Sequence, residues 1–60
     1  MTKLTPHEIA TLGLYYYFLK KGREVDDVKE KALAIKRKYN WSDEEFKEIA
    51  KRCYEWVMES

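Results

Sequence analysis

This 60-residue sequence predicts an all-α fold, an up-down-up bundle of three short helices over about residues 6–21, 25–39 and 43–58. Three observations carry the prediction. Two capping boxes punctuate the chain, one at Thr5 and Glu8, the other at Ser42 and Glu45. Apolar residues recur at steps of three and four, the helical period. No stretch of useful length alternates as a strand would. Only a few residues join consecutive segments, and short connections make consecutive helices antiparallel neighbours. No internal repeat, low-complexity tract or long linker divides the chain, so residues 1–60 read as a single domain.

Each segment is justified by its ends. The first begins at Thr5, whose hydroxyl can accept from the backbone N–H of Glu8 while the Glu8 carboxylate reaches back to the Thr5 N–H. Pro6 occupies the first helical position, where its missing N–H costs nothing, and Leu4 and Ile9 have the spacing of a hydrophobic staple. Lys20 and Lys21 suit the negative end of the helix dipole, and Gly22 stops the helix. The second segment starts between Glu24 and Asp26. Val25, Val28, Ala32, Ile35 and Tyr39 form one seam, and Asn40 is the expected left-handed terminator. The third repeats the logic of the first, with Trp41 and Phe46 as the staple. Phe46, Ile49, Ala50, Cys53 and Val57 are expected on one inward face, flanked by Trp56.

Size and composition narrow the class. A chain this short buries only about 60% of the surface its unfolded form exposes, so it needs unusually good packing or a partner. An internal disulfide is excluded, because Cys53 is the lone cysteine. One thiol and one histidine, His7, make no metal framework, and no cofactor or small-molecule ligand is implied. A reducing, cytoplasmic setting is expected. The longest uncharged run, Ile9 to Leu19, has 11 residues, against roughly 20 for a membrane span. A capped helix start rather than a basic leader predicts no secretory signal. Twelve basic residues nearly balance eleven acidic ones, which argues for a solvated surface rather than a polyanion binder. Glutamine is absent and Asn40 is the single asparagine, a pattern expected of a hyperthermophile protein. An orphan reading frame or a designed sequence without a dedicated activity fits the same residues.

Catalysis has little to stand on. His7 falls in the first turn of helix 1 with no acid or nucleophile placed beside it by spacing, and a general base needs a positioned partner. Cys53 sits on the inward face and reads as a small core residue. Nucleic-acid binding is an alternative. Residues 20–38 carry eight bases against four acids, and Lys20, Lys21, Arg23, Lys29 and Lys36 are its candidate contacts. As a helix-turn-helix, the chain would aim Asp43, Glu44 and Glu45 at the phosphates, which repels. The same lysines serve equally to solvate helix 2 and pair with its own acids, as in Asp27 with Lys31.

Helix 1 supplies the leading functional expectation. Ile9, Leu12, Tyr15, Tyr16 and Leu19 make one apolar face, and Ala10, Leu14, Tyr17 and Phe18 make a second. A helix apolar almost all round is either central or pressed against something outside its chain. Burying a residue such as Leu14 or Phe18 contributes about 1.5–3 kcal/mol, a large gain for a small core. The chain is therefore expected to be a non-catalytic helical interaction module, forming a homodimer or docking a protein partner. Its contacts are Ala10, Leu14, Tyr17 and Phe18, with Leu33 in support, and Phe18→Glu should abolish association.

Overall fold

The computed structural model describes residues 4–59, which form a three-helix bundle: α1 Pro6–Lys20, α2 Asp26–Tyr39 and α3 Asp43–Glu59. No strand occurs among the described residues. Both capping boxes are closed. Thr5 Oγ1 accepts from the Glu8 N–H at 3.1 Å while the Thr5 N–H donates to Glu8 Oε1 at 2.9 Å. Ser42 and Glu45 reciprocate at 3.2 and 3.1 Å. Only α2 starts without a side-chain cap, from Val25, with Asp26 and Asp27 supplying the favourable charge of its first turn.

Two helix ends close in the same way. Gly22 takes φ 72°, the Arg23 N–H donates to the Phe18 carbonyl at 2.9 Å, and the Gly22 N–H donates to that of Leu19 at 3.2 Å. Asn40 takes φ 56°, with Trp41 donating to Lys36 at 3.0 Å and Asn40 to Arg37 at 3.2 Å. Both are paired six-to-one and five-to-two closures, which satisfy the last helical carbonyls and reverse the chain.

α1 is the central element and packs on both of the others. Against α2 it runs antiparallel. Near its start Glu8 meets Lys38 and Tyr39, and near its end Phe18 and Leu19 share a hollow with Val25 and Val28. α3 returns obliquely. Ile49, Arg52, Cys53 and Trp56 border Leu4 and Ile9, whereas Glu44, Lys47, Glu48 and Lys51 border Tyr16 and Leu19. One flank of α3 thus meets the beginning of α1 and the other flank its end, which means that the two helices cross. The crossing lies at Gly13. A Cβ built there would stand 3.3 Å from the Cys53 carbonyl oxygen and 3.5 Å from the Tyr54 Cα, so the bare glycine lets the two backbones approach.

The core is Leu12, Ala32, Ile35, Trp41, Phe46, Ala50 and Cys53, with Leu12 wholly enclosed. Tyr15 leans on Phe46 at 5.3 Å between ring centroids, and Tyr39 stacks on Trp41 at 5.0 Å. Leu4 and Ile9, the first expected staple, pack against this core, and Trp41 and Phe46, the second, belong to it. Two residues expected inward are not enclosed: Leu19 is 47% exposed and Val57 also 47%. Val57 does share the inward direction of Cys53. One turn beyond the crossing, however, it lines an open hollow with Ala10, Gly13 and Leu14 and is only partly covered.

Candidate functional site

The last turns of α3 make a corner with the outer side of α1. Ala10, Gly13, Leu14 and Tyr17 form one wall, and Tyr54, Val57 and Met58 the other. Leu14 is 45% exposed and Met58 62%. Tyr54 anchors the corner, its ring 5.4 Å from that of Tyr16 and 6.4 Å from that of Tyr17. At one end Lys20 Nζ lies 5.3 Å from the Tyr54 ring centre and Lys21 Nζ 5.7 Å from that of Tyr17. The wall is therefore apolar and aromatic with a cationic edge.

Three of the five residues singled out as partner contacts, Ala10, Leu14 and Tyr17, meet in this corner. The other two lie elsewhere. At ~100° per residue Phe18 stands about 40° beyond Leu14, which turns it toward α2. It is half-buried beside Val25 and Val28 and edge-on to Tyr17. Leu33 is half-buried against the core. Val57 and Met58 complete the corner instead. Their part was not apparent from one helix at a time, because it depends on where α3 crosses α1.

The cations proposed for nucleic acid are dispersed. Lys36 is paired with Asp43 and lies 5.9 Å from the Phe46 ring centre. That pairing holds the Asp43 carboxyl below its ordinary pKa. Lys20 and Lys21 lie over tyrosine rings at the corner, and Arg23 and Lys29 border the Phe18 hollow together with Glu24. His7 is exposed, its carbonyl accepting from the Thr11 hydroxyl at 2.8 Å. Cys53 is buried, and burial pushes its thiol pKa up, away from the reactive thiolate. Among the described residues no group of three or more His, Cys, Asp or Glu side chains is placed to hold a metal, and no helix is long and apolar enough to cross a membrane.

One polar cluster exceeds what local spacing foretold. Glu8, 6% exposed, completes the cap of α1 and also accepts from Lys38 Nζ at 2.9 Å and from the Tyr39 hydroxyl at 2.8 Å. The Thr5 N–H, then Lys38 and Tyr39, bring its pKa from 4.5 down to about 2. The Lys38 pKa is raised in turn by the bond to Glu8. With every oxygen engaged, the cluster is a structural clasp between the start of α1 and the end of α2.

No protein-family model matches this chain, and no curated protein or solved structure is significantly similar to it. The functional reading therefore stands on the geometry of the corner.

Proposed function

We propose that this chain is a small helical interaction module that docks a partner in the corner between α1 and the end of α3. The observation that carries the reading is the pairing of Leu14 and Met58, two exposed apolar side chains from different helices on one concave surface. Isolated exposed apolar residues are ordinary, whereas a contiguous patch framed by two elements marks a contact site. In this reading the chain performs no catalysis of its own and works in the cytoplasm, where Cys53 stays reduced. Its charge-rich, amide-poor composition accords with a hyperthermophilic source.

An apolar fluorescent dye at low micromolar protein tests the reading. The wild type should take up dye, and Leu14→Glu and Met58→Glu should lose it while keeping their helical circular dichroism. Absent uptake, or equal uptake by all three, sinks the reading. Salt separates it from phosphate binding through α2. Apolar docking holds or strengthens as salt rises, whereas binding to phosphates weakens steeply.

A further inference from the structure

We infer that the occupant of this corner is the end of α3 from a second copy of the same chain, in a two-fold dimer. The inference rests on the docking reading above and goes beyond it by naming the partner. Two features of the molecule are complementary to each other. The corner is apolar with a cationic edge, formed by Lys20 and Lys21 over the rings of Tyr54 and Tyr17. The last turns of α3 are apolar with an acidic edge. Met58 is 62% exposed, Glu55 and Glu59 lie on the neighbouring side of the helix, and no basic residue lies in the last turn.

That helix end has an electrostatic need of its own. The final carbonyls of a helix carry a partial negative charge that cations stabilise and carboxylates do not. Glu55 and Glu59 add to that charge instead of offsetting it. Among the described residues, neither they nor Lys20 and Lys21 are held in an ion pair. A second copy supplies what each lacks: its lysine pair meets the acidic helix end, and its Met58 enters the hollow beside Leu14.

The arrangement is reciprocal. A two-fold interface brings residue i of one copy to residue j of its partner and j to i, so each chain offers both the corner and the inserted end. A partner of unrelated sequence needs only one of these. The coexistence of both on one 60-residue chain favours the second copy.

Sedimentation equilibrium from low micromolar to millimolar protein tests the inference. Wild type should pass from monomer to dimer, and Leu14→Glu should raise the dimer dissociation constant by about tenfold or more, as loss of an interface anchor does. Two charge variants examine the pairing itself. Lys20→Glu/Lys21→Glu and Glu55→Lys/Glu59→Lys, both helical by circular dichroism, should each be weaker dimers alone. Mixed, they should recover a heterodimer, because each opposes charges that the other satisfies. A wild type that stays monomeric at millimolar concentration overturns the dimer. So does a mixture no tighter than its components. If the monomeric wild type still takes up dye at Leu14, the docking surface survives and only its occupant is wrong. If dye uptake fails as well, both readings fall.

Discussion

The two sides of α1 are built in opposite ways. Where α1 meets the end of α2, a buried carboxylate is fully engaged. Glu8 accepts from Thr5, Lys38 and Tyr39, and Tyr39 stacks on the buried Trp41. Where α1 meets the end of α3, Leu14 and Met58 face outward from a hollow. The contrast teaches how a short chain divides its labour. Polar groups can be buried at little net cost only when their partners are complete, and the clasp completes them within the chain. Apolar surface carries no such obligation, so the corner can stay open until something covers it.

The largest break in this comparison should come at the closed end. Trp41→Ala removes a ring that is 9% exposed and stacked on Tyr39. Truncations of this kind cost about 3–5 kcal/mol. A domain of this size holds on the order of 3–9 kcal/mol in all, so denaturant unfolding should show a chain partly unfolded in water. A middle-sized effect is expected at the crossing. Gly13→Val places methyl groups where even a Cβ already stands 3.3 Å from the Cys53 carbonyl oxygen. The loss should be about 1–3 kcal/mol by overpacking, and the corner should distort with it, which reduced dye uptake would reveal.

Acid probes the clasp separately. The Glu8 pKa is lowered from 4.5 to about 2 in the folded chain. Between those values the unfolded chain binds more protons than the folded one, so stability falls as pH falls through this window. The contribution is fully present above the unfolded value and gone below the folded one. Thermal melts of Glu8→Gln should have a flatter dependence on pH between about 4.5 and about 2 than those of the wild type. Identical slopes would show that the clasp contributes nothing.

How much of this was legible in the sequence follows the distance over which each feature acts. The capped starts at Thr5 and Ser42 and the left-handed terminators Gly22 and Asn40 use neighbours within six residues. The helix ends could therefore be read almost to the residue. Ala10, Leu14 and Tyr17 were legible as a stripe because they share one helix. The second role of Glu8 was not, since Lys38 and Tyr39 lie 30 and 31 positions away. Nor was the use of Gly13, which looks like a weak spot in a helix until α3 is laid across it. Phe18 and Val57 each follow the correct helical direction, yet their surroundings depend on where a neighbouring helix begins and ends. No periodicity within a single segment contains that information.

Two residues apart on α1, Leu12 belongs to the fold and Leu14 does not. Denaturant unfolding of Leu12→Ala and Leu14→Ala, measured side by side as dilute monomers, tests it most directly. Leu12 is wholly buried and Leu14 is 45% exposed. The predicted loss is about 2–5 kcal/mol for Leu12→Ala and under about 1 kcal/mol for Leu14→Ala. Comparable losses for the two would mean that the outer side of α1 is core, and would contradict the open corner.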